Sequence, residues 1–313
     1  FEAFRSLRDK ASLIDSAIMA GRGDVLSRAC IFAASTLQGD VFTAMLCDRP
    51  AAVRQHAAGL RRRKDWTALI GLYSGVGWEP EASLAEYDRA IAEPEPKAQV
   101  RLLETCLARV ERCESAGGHQ KRALRGLSAK HVTASITLIK TQYALDAADR
   151  GAHTLPFQRF PKKRGTLGMP ALTTLWYGWL YHNNEPTSKG DPSALRKMLG
   201  DEITESQFLW TGVRARTKAS DWDSVDAILT RKTKFFGSKK LSPTISPAGI
   251  AATLLSAGAP RTAVKKYAML VEDPNVRWKL LAAAELHLEA VHALIEVKDP
   301  QLLESYYTKP NVV

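Results

Sequence analysis

Apolar residues recur every three or four positions along most of the chain, the spacing of helices that bury one face. Phe4, Leu7, Ala11, Ile14 and Ile18 form one such stripe, and Val25, Ala29, Phe32, Ala33 and Leu37 form the next. Gly21 and Gly23 separate them, with Asp24 as the expected N-cap of the second helix. Pro50 fits the first turn of a helix running towards Leu60, with Asp48 as its expected cap. Residues 65–73 and 81–91 predict a helix, a glycine-containing turn and a helix. A longer helix follows Pro96, with Val100, Leu103, Leu107 and Val110 as its seam, and Gly117-Gly118 should end it. Residues 121–150 then predict one long helix, with Ile136, Ile139, Tyr143 and Ala147 on one face.

Residues 151–169 break this pattern. They hold Pro156, Pro161, several glycines and the basic residues Arg159, Lys162, Lys163 and Arg164, which is the composition of an irregular connection. Its length is unusual for a loop and points to function or mobility. After Pro170, Leu172, Leu175, Trp176, Trp179 and Leu180 are spaced as one apolar helical face. Residues 192–199, 206–219 and 220–229 predict further helices, and 231–240 a second basic loop. The remainder divides into short helices, most of them opened by proline, at 247–257, 260–271, 274–284, 287–297 and 300–308. The expected fold class is all-α, an irregular α-solenoid of stacked antiparallel helix pairs. Its expected parts are residues 1–150 and 170–313, joined by a basic linker at 151–169. No strict period marks a tetratricopeptide or ankyrin array.

Composition narrows the function classes. The 313 residues are 45% hydrophobic and 25% charged, an ordinary globular mixture that excludes a wholly disordered chain. The most apolar run, 172–181, is far short of the roughly 20 residues a membrane-spanning helix needs. The chain opens on Phe1 rather than Met, and is expected to be a trimmed piece. Its four scattered cysteines form no Cys-x-x-Cys pair and no glycosylation sequon occurs, which favours a reducing, cytoplasmic setting. There is no phosphate-binding Gly-x-x-x-x-Gly-Lys-Ser/Thr loop, no His-Glu-x-x-His and no Gly-x-Ser-x-Gly. No catalytic residue, cofactor or metal is therefore expected. Cys106 and Cys113 share a helix face, where packing is a better account than zinc.

The net charge of +11 changes the picture of partners. Basic clusters lie at Arg61-Arg62-Arg63-Lys64, 159–164, 214–218 and 231–240. Two of them carry phenylalanines, Phe157 and Phe160, and Phe235 and Phe236. Cations interleaved with aromatic rings can hold single-stranded nucleic acid, which makes a basic helical-repeat nucleic-acid-binding protein the alternative reading. A solvated basic surface is the plainer account of these clusters and an acidic protein or anionic lipid the next, with Arg159, Lys162, Lys163 and Arg164 as the expected contacts to an anionic surface such as a membrane. The aromatic set Trp176, Tyr177, Trp179, Tyr181, Trp210 and Trp222 suits either core packing or a protein interface, since Trp, Tyr and Arg are enriched at binding hot spots.

Four stretches carry a resemblance: residues 1–13, beginning Phe1-Glu2-Ala3-Phe4-Arg5-Ser6-Leu7-Arg8; Leu167-Gly168-Met169-Pro170-Ala171-Leu172-Thr173-Thr174-Leu175-Trp176-Tyr177; Ala219-Ser220-Asp221-Trp222-Asp223-Ser224-Val225-Asp226; and 263–271 through Lys265-Lys266-Tyr267. Together they resemble the C-terminal domain of the vacuolar protein sorting sixteen family. The Met-Pro-x-x-Thr-Thr motif and the basic linker before it look like the VIPAR branch rather than the HOPS and CORVET core subunit. The resemblance implies a non-enzymatic α-solenoid that binds an SM protein of the vacuolar protein sorting thirty-three B type, a chaperone of SNARE assembly. The complex would tether vesicles, peripheral on endosomes, late endosomes and lysosomes. The docking region maps to residues 97–229, where Trp176, Tyr177, Trp210, Arg214 and Arg216 are the expected contacts.

Overall fold

The computed structural model describes residues 5–116, 118, 124, 126–150, 155–161, 164–183, 191–200, 203–232, 239–241 and 244–307, and these are overwhelmingly helical. The chain divides into two compact units, Phe1–Lys140 and Thr141–Val313.

The first unit contains α1 (Leu7–Met19), α2 (Gly23–Thr36), α3 (Gly39–Leu46), α4 (Pro50–Arg62), α5 (Trp66–Gly75), α6 (Glu79–Ile91), α7 (Pro96–Ala116) and the start of α8 (Ala129–Ala148). Successive helices fold back on one another, α1 on α2, α5 on α6 and α6 on α7. Short polar side chains fix where they begin. Ser6 and Asp9 form a capping box, the Asp9 amide donating to Ser6 Oγ at 3.1 Å and the Ser6 amide to Asp9 Oδ2 at 3.2 Å. The expected caps at Asp24 and Asp48 are corrected. The N-cap positions belong to Arg22 and Arg49, neither of which caps through its side chain. Each arginine instead binds an aspartate: Arg22 pairs with Asp24 at 2.8 Å, and Arg49 takes Asp15 of α1 with both arms at 2.7 and 2.8 Å.

Alanines set the spacing inside this unit. Ala29, Ala33, Ala52, Ala57, Ala82, Ala85 and Ala90 are buried, so neighbouring backbones approach closely while Leu46, Leu60, Leu69 and Leu103 fill the gaps. The α1 stripe sits slightly off its expected line. Leu7 is exposed and Lys10 is buried, its ammonium 5.7 Å from the centre of the Phe32 ring. Cys106 and Cys113 pack in the α6–α7 core beside Ser83. The long helix expected over 121–150 is also corrected. α8 begins only at Ala129, because Gly126 takes φ +90 and the Ser128 hydroxyl accepts the His131 amide at 3.1 Å to start the helix.

The second unit holds the rest of α8, then α9 (Leu155–Arg159), α10 (Ala171–Tyr181), α11 (Pro192–Leu199), α12 (Glu205–Lys218) and α13 (Trp222–Leu229). It continues with α14 (Pro247–Ser256), α15 (Arg261–Ala268), α16 (Pro274–Ala283), α17 (His287–Val297) and α18 (Pro300–Tyr307). α9 is a short helix inside the stretch read as irregular. The basic loop at 231–240 is in part an antiparallel ribbon: β1 (Thr230–Lys232) pairs with β2 (Lys239–Leu241), Arg231 opposite Lys240. Its connecting residues, with Phe235 and Phe236, lie outside the described residues. The late helices follow the sequence pattern closely, α14 capped by Ser246, α16 by Asp273, both with proline in the first turn. Adjacent helices again pack in pairs, α14 with α15 and α16 with α17. The packing in each unit is that of an all-α irregular solenoid.

Candidate functional site

The site grows from the turn that precedes α10. Gly168 takes φ +76, a conformation costly for a side-chain-bearing residue, and the turn is clamped to α8. Asp146 accepts the Thr166 amide at 2.7 and 2.9 Å and the Thr166 hydroxyl at 3.0 Å. Gln142 donates to the Met169 carbonyl at 2.6 Å and to Thr174 Oγ1 at 2.7 Å, and accepts the Gly168 amide at 3.1 Å. Most of the motif from Leu167 to Thr174 is thus explained by how it docks on α8. Pro170 then occupies the N-cap position of α10.

α10 is buried over most of its circumference. On one side Tyr177 donates to the Asp149 carboxylate, and His182 Nε2 lies 3.4 Å from Asp149 with both side chains about 5% exposed. Burial, and then the Asp149 carboxylate, push the Tyr177 hydroxyl far above its ordinary range, so it is a fixed donor. Tyr181 donates to the Phe160 carbonyl at 2.8 Å and stacks on Phe157. On another side α12 comes very close. A Cβ on Gly212 would lie 2.8 Å from Trp179 Cε2, so only glycine permits this approach. Arg216 of α12 reaches under α10, donating to the Trp179 carbonyl at 2.8 Å and pairing with Asp221.

The remaining face of α10 opens a groove of about 710 Å³ with α12 and α14. α10 contributes Leu172, Thr173 and Trp176; α12 contributes Gln207, Trp210 and Arg214, spaced three and four apart on one face. α14 contributes Gly249 and Thr253. Gly249 seats the Trp210 ring, since a Cβ there would lie 3.1 Å from Trp210 Cη2. The rim is basic. Arg214 and Lys218 are exposed, Lys218 holds its ammonium 5.9 Å from the Trp176 ring centre, and neither has a carboxylate partner among the described residues.

The five contacts expected from sequence therefore separate. Trp176, Trp210 and Arg214 meet in one groove. Tyr177 and Arg216 lie in interior positions: each is under a tenth exposed and hydrogen-bonds within the fold. Of the basic linker, Arg159 donates to the Ala219 carbonyl at 2.8 Å and Arg164 is exposed, while Lys162 and Lys163 lie outside the described residues. Sequence reasoning passed over Leu172 as a groove residue, assigning it to the buried stripe, and passed over Gly249 altogether. No group of three or more metal-ligating side chains is assembled among the described residues. No helix among them is long and apolar enough to cross a membrane.

No family model matches the chain. Its curated relatives carry one name, and that name corrects the family expected from the motifs. They are spermatogenesis-defective protein 39 homologues rather than proteins bearing the vacuolar protein sorting sixteen name. The chain spans about three fifths of the length of the vertebrate relatives, 61% of the Danio rerio protein and 60% of the Mus musculus protein. It is 28% identical to the Danio rerio protein over 309 residues and to the Mus musculus protein over 313, each covering 98% of this chain; spermatogenesis-defective protein 39 of Caenorhabditis elegans is 27% identical over 232 residues, covering 74% of this chain and 42% of its own length.

Proposed function

We propose that the chain is a non-enzymatic scaffold subunit in vesicle traffic, and that the groove between α10, α12 and α14 is where a protein partner docks. The observation that carries this reading is the groove itself. Two part-exposed tryptophans and an arginine with no carboxylate partner among the described residues converge there from two helices, and this is the residue chemistry of a binding hot spot. The apolar floor supplies anchors, and the basic rim of Arg214 and Lys218 selects an acidic counterpart and speeds encounter. The likeness to spermatogenesis-defective protein 39 over nearly the whole chain supports a trafficking role. The proposed partner is an SM-family SNARE chaperone of the vacuolar protein sorting thirty-three B type. Through it the scaffold acts on SNAREs at the cytoplasmic face of endosomes and lysosomes.

The test uses the 313-residue chain and a purified SM protein of that type, titrated by calorimetry at physiological salt. Trp210→Ala and Arg214→Glu should each weaken binding by about tenfold or more, as hot-spot truncations do. Helical circular dichroism should be unchanged in both. Unaltered affinity in both variants removes the groove from the reading, and no binding by the native chain removes the partner. Affinity for RNA or DNA that falls steeply with salt would instead favour the nucleic-acid alternative.

A further inference from the structure

The first unit carries a feature that partner docking on the second unit leaves unused. Four consecutive cations, Arg61 to Lys64, close α4. Part of this run is ordinary, since cations at a helix C-terminus complement the helix dipole. Arg61 also faces Asp88 at 3.9 Å. Arg62 and Arg63 differ. They line a small cleft of about 140 Å³ between α2 and α4, and neither has a carboxylate partner among the described residues.

The cleft is lined on the α2 side by Ser27 and Ile31, and on the α4 side by Gln55 and His56 below the two arginines. Gln55 and Ser27 are already committed, Gln55 Nε2 donating to Ser27 Oγ at 2.8 Å and Ser27 Oγ to the Gly23 carbonyl at 2.9 Å. His56 is not. It is 8% exposed, its ring packs edge-on against Phe42 at 5.3 Å, and it makes no hydrogen bond among the described residues. Its ring nitrogens are not sealed in the core but open on the cleft, where a bound group can meet them. Gly59 leaves the cleft open, because a Cβ there would meet nothing within 4 Å.

We propose that the α2–α4 cleft, with His56 inside and Arg62 and Arg63 at its mouth, binds a phosphate-bearing anion. Guanidinium groups present paired N–H donors that match phosphate oxygens, and the imidazole supplies a third direction of donation. A phosphate monoester has three terminal oxygens to meet them, one more than a carboxylate. The unfavourable dipole at the end of α4 is opposed by two full positive charges, so the local field still selects an anion. The cleft admits one such group, whether free or on a lipid headgroup.

The experiment uses the full 313-residue chain with three probes: inorganic phosphate, inositol 1,4,5-trisphosphate, and phosphatidylcholine vesicles with or without phosphatidylinositol 4-phosphate. One-site saturable binding of a soluble probe is expected. Arg62→Ala/Arg63→Ala should weaken it by about tenfold or more, the loss of two charge-assisted contacts. Gly59→Leu, which fills the cleft without altering charge, should do the same. Arg101→Ala/Arg112→Ala, which removes equal charge from exposed positions on α7, should leave it unchanged. Co-sedimentation that requires the phosphorylated lipid and is competed by the soluble headgroup assigns the ligand to a membrane; soluble binding without it assigns a free phosphate compound. Absence of saturable binding to every probe, or equal loss from the α7 pair, overturns the proposal. Should Gly59→Leu lose its helical circular dichroism, Arg62→Ala/Arg63→Ala compared with the α7 pair still decides the matter.

Discussion

The Arg216 guanidinium donates to the main-chain carbonyl of Trp179 at 2.8 Å, joining α12 to α10 from inside the second unit. Its second arm meets Asp221, the N-cap of α13, so one side chain ties three helices together. Arg216→Ala would leave the Trp179 carbonyl without this donor and the Asp221 carboxylate with only the Ser224 amide and hydroxyl. The expected cost is about 2 kcal/mol, that of a lost charge-assisted hydrogen bond and an unpaired carbonyl, since the Asp221 side chain is 27% exposed. Arg214→Ala, two residues away and exposed, should stay within about 0.5 kcal/mol. Urea unfolding of the two variants side by side tests the contrast, and equal midpoints would refute it. Burial raises the Asp221 pKa, but hydrogen bonds from Arg216 and Ser224 outweigh this and hold it below the usual value. The resulting stability is present above the ordinary carboxylate range and is lost as pH falls through the lowered pKa. Arg216→Ala should flatten that acid limb.

Acid should act on the first unit by a different group. Burial, and then the charge of Arg63, lower the His56 pKa below its usual 6.5. The unfolded chain therefore takes up that proton first. Stability from neutral His56 is complete above about pH 6.5 and declines as pH falls towards the lowered folded value. Urea midpoints between pH 8 and pH 5 should fall more in the native chain than in His56→Leu. Identical pH profiles would show that His56 titrates freely.

Thiol reactivity offers a third check. Cys47 is exposed, whereas Cys30, Cys106 and Cys113 are buried. Burial pushes the Cys30 thiol up to about 11. Burial, and then Glu86, push Cys106 up to about 12. Only thiolates react readily, so a native chain should show one fast thiol towards an aromatic disulfide reagent, and four once unfolded. Cys47→Ser should abolish the fast phase, and a second fast thiol would contradict the burial seen here.

Much of the helical framework is legible in the chain because its signals are local. Pro192 and Pro247 each mark a start that the structure confirms, and the helix read from residue 220 begins at Trp222. Errors arise where a local signal has a competing partner. Asp24 and Asp48 look like caps, but the neighbouring arginines take the cap positions, and Arg49 is held there by Asp15, 34 residues away in sequence. The helix expected from residue 121 fails for a related reason, because Gly126 at φ +90 interrupts a pattern that apolar spacing alone would continue.

The all-α class, the helix pairs and the tryptophans and arginines of the site are legible in the chain alone. Periodicity and capping act within one turn of chain, so they survive without tertiary contacts. Which of those side chains face outward is settled by contacts between helices. α10 carries aromatic rings on more than one side, and no spacing rule distinguishes Trp176 in the groove from Tyr177 against Asp149. That choice is made by Gly212, which lets α12 close over one flank, and by Gln142 and Asp146, which clamp the other from α8. The same holds for Arg214 and Arg216, two residues apart on one helix. One lines the groove and the other lies beneath α10, because a helix turns about 200° between them.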